Sequence, residues 1–354
     1  MNNQTLPPSQ QLWSNIQPNL EQQKVNASRS VLAHHRAVKN WLTQYQPHEN
    51  SSNLEKVRGY LEAFHHLCQV NSWQLASRIL EVKLQDNIAE ELHNQLFIWS
   101  YFQEQITLYK ALLHKVSVVV DANCFLALGN IYAVLGDIDL AAQFYGKYLN
   151  ITRTIHDLEG EAKALVSLGN LYDKLGKYKD AIELHEQSLK IAQELESKED
   201  EGRALAALGN AYLSLGNYNE ALKHYLSNVE ISQGLKNDYS QVSTLGNLSS
   251  VYRFMGDYYQ AIKYAEQQLE IAQKFADQSG LSSAYGHLSS SYYYLSDYDK
   301  AIEYAQKQVE IARAIGEQAS IGSGLSMFAN IYYSLGEYQQ TLEILQEVFN
   351  IAVI

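Results

Sequence analysis

The side chains in this sequence that could do chemistry fall into two groups. The first is titratable. His34-His35 and His65-His66 are adjacent pairs, and neighbours on a helix diverge by about 100°, so one pair does not chelate one metal easily. His65 and Cys68 lie three apart and could share a face, but two ligands fall short of the four usual for structural zinc. Ordinary helix residues are the simpler account. The two cysteines, Cys68 and Cys124, form no C-x-x-C pair and no disulfide framework, which fits a reducing compartment. No phosphate loop, no G-x-G-x-x-G, no H-E-x-x-H and no G-x-S-x-G occurs. Carboxylates are scattered singly, so acid–base catalysis has no candidate pair. The expectation is no enzyme, no catalytic residue, no metal and no cofactor.

The second group is polar and recurs. At intervals of 40 residues stand Asn130, Asn170, Asn210, Ser250, Ser290 and Asn330. Seven residues earlier stand Asn123, Lys163, Arg203, Ser243, Ser283 and Ser323. Positions seven apart share one stripe of a helix. Asparagine carries two donors and an acceptor, so a row of them can grip a peptide backbone without reading its side chains. Lys163 and Arg203 add charge for a carboxylate. Three places after the Asn stripe come Ala133, Asp173, Leu213, Arg253, Tyr293 and Tyr333, with Asn247, Phe254, His287 and Tyr294 nearby. The early half is polar and partly basic; the late half is aromatic, a composition that suits binding surfaces. The competing account is structural: Asn satisfies a neighbouring helix, and the basic side chains are merely solvated. Tyr292 belongs to the core by register. Tyr293 and Tyr294 cannot both join it on one narrow face, so at least one is exposed.

The elements that carry these stripes repeat with the same interval. Tyrosine recurs at Tyr132, Tyr172, Tyr212, Tyr252, Tyr292 and Tyr332. A small residue precedes each by three: Gly129, Gly169, Gly209, Ser249, Ser289, Ala329. Another follows by nine: Ala141, Ala181, Ala221, Ala261, Ala301, Thr341. Leu165, Leu168, Tyr172 and Leu175 are spaced as one helix face. Gly176 stops that helix, as do Gly136, Gly216, Gly256 and Gly336; Ser296 alone departs. Asp137, Asn217, Asp257 and Asp297 follow as N-cap residues. A second face then runs through Tyr178, Ala181, Ile182, Leu189 and Ala192. Each copy is therefore a helical hairpin with a short turn. Gly169 and Ala181 are expected where the axes cross, with Tyr172 filling the gap beside them. Truncating such a buried tyrosine would cost about 3–5 kcal/mol. One hairpin cannot bury its second face, so neighbours must stack.

Leu168-Gly169-Asn170, Tyr172, Leu175-Gly176, Tyr178 and Ala181-Ile182 resemble the tetratricopeptide repeat, and the resemblance covers roughly residues 122–354. The interval exceeds that family's usual length of about 34, and its repeat-ending proline is missing. Longer repeats of this kind are similar to those of spindle-orientation adaptors and kinesin light chains, which bind extended peptides on the concave side. The resemblance implies an all-α fold, a right-handed α-solenoid (superhelix) of stacked antiparallel helical hairpins. It also implies a concave peptide-binding groove lined by the first helix of each hairpin. Asparagines matching Asn130, Asn170 and Asn210 would hold ligand backbone there. Basic residues matching Lys163 and Arg203 would hold ligand acids. The groove would continue through Asn123, Asn247, Arg253, His287, Tyr293, Asn330 and Tyr333.

Composition bounds the rest. The chain has 354 residues, 46% of them hydrophobic, which excludes a disordered protein. A net charge of −12 argues against nucleic acid and anionic membrane partners. No signal peptide or spanning apolar run is seen, so a soluble cytoplasmic protein is expected. Residues 1–23 read as a flexible tail. Residues 24–120 read as an irregular helical region: a helix from Val25 to about Tyr45, then two decayed hairpins over 53–115, and a β-branched extended link at Val116–Val120. Residues 121–354 hold six repeats. All four prolines lie in the first 47 residues, which leaves the remainder suited to uninterrupted helices. The apolar end, Leu345, Phe349, Ile351, Val353 and Ile354, lacks a polar cap. Either the natural protein continues, or this end packs on a partner or a second copy. The function expected is a protein-interaction scaffold for a peptide segment. The alternative is a ligand-sensing or autoinhibitory arm of a larger signalling protein with a nucleotide-switch or protease effector.

Overall fold

The computed structural model describes residues 9–23, 27–48, 50–85, 88–235 and 238–353. The chain divides into two compact units, residues 1–160 and 161–354. Among the described residues there are eighteen α-helices and one two-stranded sheet.

The first unit opens with α1 (Ser9–Gln23) and α2 (Arg29–Thr43). The expected tail is thus corrected from Ser9 onward; residues 1–8 lie outside the described residues. Leu12, Trp13, Ile16 and Leu20 make a stripe at helical spacing, and Ile16 and Leu20 are fully buried in the core. The Gln, Asn and Ser between them hid that stripe. Ser28 caps α2 by accepting from the Val31 amide. Then follow α3 (Asn53–Gln69) with α4 (Trp73–Leu80), and α5 (Leu92–Ile98) with α6 (Phe102–Leu112), where two irregular hairpins were expected. Between the pairs stands an antiparallel ribbon, β1 (Lys83–Gln85) and β2 (Ile88–Glu91), which the helical expectation did not contain. The expected extended link is also corrected. Ser117 alone is extended, and its hydroxyl caps α7 (Val118–Val134) at the Val120 amide, so the three valines begin a helix. The cap outweighs the weak helix propensity of valine. The first repeat hairpin is α7 with α8 (Ile138–Thr154).

The second unit is a run of paired helices: α9 (Leu158–Lys174) with α10 (Tyr178–Glu194), α11 (Lys198–Ser214) with α12 (Tyr218–Gly234), α13 (Gln241–Phe254) with α14 (Tyr258–Lys274), α15 (Gln278–Tyr294) with α16 (Tyr298–Ile315), and α17 (Gln318–Leu335) with α18 (Tyr338–Val353). From α10 to α18 each helix packs on the next. First helices also touch one another directly, α11 with α13, α13 with α15 and α15 with α17, so within this unit they form the inner row. This is an α-solenoid of stacked antiparallel hairpins.

The turn chemistry follows the sequence closely. Asp137, Asn217, Asp257 and Asp297 accept from the backbone amides of Leu140, Glu220, Gln260 and Lys300. Gly256 has φ +82°, and Ser296 takes φ +62° at the equivalent place. A side chain in that left-handed region costs about 1–2 kcal/mol.

The crossing is where expectation and structure differ. The repeating tyrosines Tyr132, Tyr172, Tyr212, Tyr252, Tyr292 and Tyr332 are only half-buried. Four of them lie flat on the ring twelve residues later: Tyr132 on Phe144, Tyr212 on His224, Tyr252 on Tyr264 and Tyr292 on Tyr304, with centroids 5.3–5.6 Å apart. The space beside the small residue is filled from the second helix instead. A Cβ added to Gly209 would stand 2.5 Å from the fully buried Tyr225 ring, and one on Gly129 equally close to Tyr145. At Gly169 the buried His185 ring takes that place. Where the small residue is Ser249 or Ser289, the facing residue shrinks to Ala265 or Ala305. The serine hydroxyl then donates to the Ala261 or Ala301 carbonyl, at 2.8 and 2.7 Å. Leu175 is a second correction: it is 49% exposed, while Ala162, Leu165 and Leu171 carry the buried face.

Two stability measurements check this packing. Gly209→Ser alone overpacks the crossing and should cost about 1–3 kcal/mol, and Tyr225→Ala alone about 3–5 kcal/mol. The double variant recreates the Ser249–Ala265 pair. Denaturant unfolding should show it to be more stable than the sum of the singles by at least about 1 kcal/mol. Ser296→Gly should raise stability by about 0.5–1 kcal/mol, since relief of the left-handed strain exceeds the added chain entropy; a lowered melting midpoint would contradict it.

Candidate peptide-binding groove

The first helices of the second unit present the predicted polar stripe to solvent. Asn170, Asn210 and Asn330 are exposed, and Ser250 and Ser290 are half-buried. Their side chains are spent unequally. Asn210 Oδ1 accepts from Tyr225 Oη at 2.6 Å and from Asn247 Nδ2 at 3.0 Å. In the first unit Asn123 and Asn130 are exposed on α7, and Asn130 Oδ1 accepts from Tyr145 Oη at 2.7 Å. The structural account therefore holds for Asn130 and Asn210, which anchor a buried tyrosine. Asn170 differs because its hairpin carries His185 in place of that tyrosine. His185 Nε2 pairs with Asp173 Oδ2 at 3.2 Å, and Asn170 makes no side-chain hydrogen bond among the described residues.

The charged members are also unequal. Arg203 is held by Asp200 at 2.6 Å and Glu199 at 3.6 Å, partners three and four residues before it on its own helix. Its charge is thus largely met by its own helix. Lys163 is half-buried on α9. Arg253 lies 4.3 Å from the Phe254 ring centroid and 5.8 Å from that of Tyr294, a cation–π arrangement. Tyr293 is half-buried and its hydroxyl meets Ser334 Oγ at 3.0 Å. Tyr294 is 50% and Tyr333 64% exposed, so the late part of the surface is aromatic as expected.

Two features were missed from sequence. His34 and His66, one from each adjacent pair, meet across α2 and α3 with Nδ1 atoms 2.9 Å apart. Burial, and then His34, lowers the His66 pKa below the ordinary imidazole value. No group of three or more potential metal ligands forms among the described residues. Burial pushes both thiols, Cys68 and Cys124, up to about 12, so neither is a ready nucleophile. The second feature is a polar cleft of about 380 Å³ formed by α13, α14 and α15, which Asn247 and His287 of the predicted groove both line. Gln268 on α14 forms its floor, at a position that is polar and buried in four copies, Ser188, Asn228, Gln268 and Gln308. No described helix is long and apolar enough to cross a membrane. On α18, Leu342, Leu345 and Phe349 are exposed; Ile354 lies outside the described residues.

The hairpin geometry, the small-residue crossing and the polar inner row meet an independent sequence comparison at this point. The family model described as tetratricopeptide repeat matches residues 121–194, 160–233, 200–274, 240–314 and 280–352. The chain belongs to the tetratricopeptide repeat family. A sequence search of curated proteins returned no match. Solved structures share the fold at low identity. The apo form of RapI is 17% identical with a TM-score of 0.62, over 73% of this chain and 94% of that one. The Rap conjugation gene regulator of plasmid pLS20, in complex with the Phr* peptide, is 13% identical with a TM-score of 0.58, over 97% and 94%. A signal transduction ATPase with numerous domains from Pyrococcus horikoshii, which has a tetratricopeptide repeat sensor, is 17% identical with a TM-score of 0.61. That match covers 92% of this chain and 53% of the ATPase.

His287 makes the stability of this tetratricopeptide array depend on pH. Burial, with Arg253 as the second cause, pushes its pKa down to about 4. The unfolded imidazole, near 6.5, binds the proton more readily. Between those values the unfolded state carries more protons, so stability falls as pH drops through 6.5 toward 4. Thermal melts across this range should show that loss, and His287→Gln should reduce it; an unchanged slope would contradict the assignment.

Proposed function

We propose that this protein is a non-catalytic interaction scaffold whose inner first-helix face, within residues 161–354, binds an extended peptide segment of a partner protein. The observation that carries the reading is Asn170. It is exposed on α9 with its amide unspent by the protein, about two turns from the half-buried Lys163 on the same stripe. Two donors and one acceptor at that point match a peptide group. The exposed aromatic side chains Tyr294 and Tyr333 supply apolar contact further along. The peptide recorded in the pLS20 regulator structure supports the same reading by likeness of fold. The net charge of −12 disfavours nucleic acid and anionic membranes as partners, and a cytoplasmic setting is part of the proposal. The exposed apolar side chains of α18 offer a surface for a second copy of the chain.

A second reading, a sensor arm within a larger signalling protein, is favoured by the likeness to the repeat sensor of the Pyrococcus ATPase. There the same inner face would take the ligand.

The test replaces Lys163 and Asn170 by alanine and spares Asn210, whose loss would strand the Tyr225 hydroxyl. Affinity capture from native lysate, read by mass spectrometry, should lose the partner that wild type retains. Circular dichroism and melting should stay the same. Capture undiminished in the double variant would refute the site.

A further inference from the structure

The cleft between α13 and α15 has chemistry of its own. Its floor is Gln268, 2% exposed, whose Nε2 donates to Ser283 Oγ at 3.4 Å. Its Oε1 is buried and finds no hydrogen-bond partner in the protein. A buried acceptor left unmade costs free energy that a bound donor would recover. The walls lean the same way. Asn247, which also lines the space, spends one Nδ2 hydrogen on Asn210. His287, with its pKa near 4, is uncharged at neutral pH. Asp277 is the sole charged residue of the lining; one oxygen caps α15 at the Gly280 amide. Ser279, also on the wall, donates its hydroxyl to Glu317 at 3.4 Å. No lysine or arginine lines the space. Arg253, the cation that reaches His287 electrostatically, has its guanidinium drawn off over Phe254 and Tyr294.

A glycine on α13 leaves the room for Gln268 and His287, and Gly286 repeats that arrangement against Gln308 in the next copy. Gly246 stands where earlier copies have Leu126, Val166 and Ala206, and a Cβ there would come 2.9 Å from Gln268 and 3.0 Å from His287. A short 3₁₀ turn at Asp238–Ser240 replaces the first helical turn of α13 and sets Tyr239 at the rim.

A buried acceptor without a partner, one negative charge and no cation call for a ligand that brings donors and positive charge. We infer that this cleft is a subsite for an arginine side chain, presented by the peptide segment of the proposed groove, on which reading it rests. A guanidinium carries five donors and no acceptor, and its planar fork can serve Gln268 Oε1 and the Asp277 carboxylate together. About 380 Å³ accommodates it with its methylene stem.

The test uses the full chain and a probe that needs no partner peptide. N-acetyl-L-arginine N-methylamide is titrated while amide resonances are followed by NMR, beside the neutral isostere N-acetyl-citrulline N-methylamide and the corresponding glutamate derivative. The expected result is saturable shifts confined to α13–α15, at least about tenfold tighter for arginine than for citrulline, and none for glutamate. Gln268→Leu removes the acceptor without removing volume, and Asp277→Asn keeps the helix cap but not the charge. Each should weaken arginine about tenfold with melting unchanged or raised. Absence of saturable shifts, equal response to citrulline, or binding intact in both variants would overturn the proposal. The Lys163 and Asn170 variant leaves the cleft untouched, so failure of the groove and failure of the subsite are told apart.

Discussion

The contact on which the array depends is the approach of each second helix to the small residue of its own first helix. At Gly209 there is no room for even one carbon beyond the backbone, because the Tyr225 ring already occupies it. That closeness has a polar consequence. It brings the tyrosine hydroxyl up to the Asn210 amide, so packing in the core decides how much hydrogen-bonding capacity the surface asparagine has left. In the Ser249 and Ser289 hairpins the same closeness is secured by a serine-to-carbonyl bond and an alanine opposite. A hydroxyl buried without that bond would be destabilising, so the two solutions are not interchangeable one residue at a time.

The hairpins and their turns were legible in the sequence because each depends on a local rule. Glycine before an Asp or Asn cap reads the same wherever it stands. The crossing was less legible. Tyr132 and its equivalents recur most regularly, yet they lie flat on the second helix and stay half in water. Regularity there reflects a stacking partner, Phe144, His224, Tyr264 or Tyr304, rather than depth. The true fillers, Tyr145, His185 and Tyr225, vary in type and so leave a weaker periodic trace. Helix α1 was hidden differently: an apolar stripe of four residues carried it within a polar composition. The valines of 118–120 illustrate the limit of propensity, since one serine cap determined their conformation.

For the candidate site, position was easier to read than availability. The asparagine stripe is where its interval placed it, but Asn130 and Asn210 are engaged with buried hydroxyls, and Arg203 is neutralised by its own helix. No one-dimensional pattern distinguishes a spent amide from a free one; that takes the identity of a residue fifteen positions on, across a turn. Gln268 and the His34–His66 pair were invisible for a related reason. Each acquires meaning only from another helix.

The two units also differ in their intrinsic chromophores. All four indoles, Trp13, Trp41, Trp73 and Trp99, belong to residues 1–160, whereas residues 161–354 hold none and instead contain ring pairs such as Tyr252–Tyr264 and Tyr292–Tyr304. Emission excited at the red edge of the absorption band therefore originates in the irregular part of the chain alone. Tyrosine signals come from both units, since Tyr45, Tyr60, Tyr109 and Tyr145 among others lie in residues 1–160. One unlabelled sample thus contains an optical reporter confined to the first unit, against which changes in the whole chain can be set.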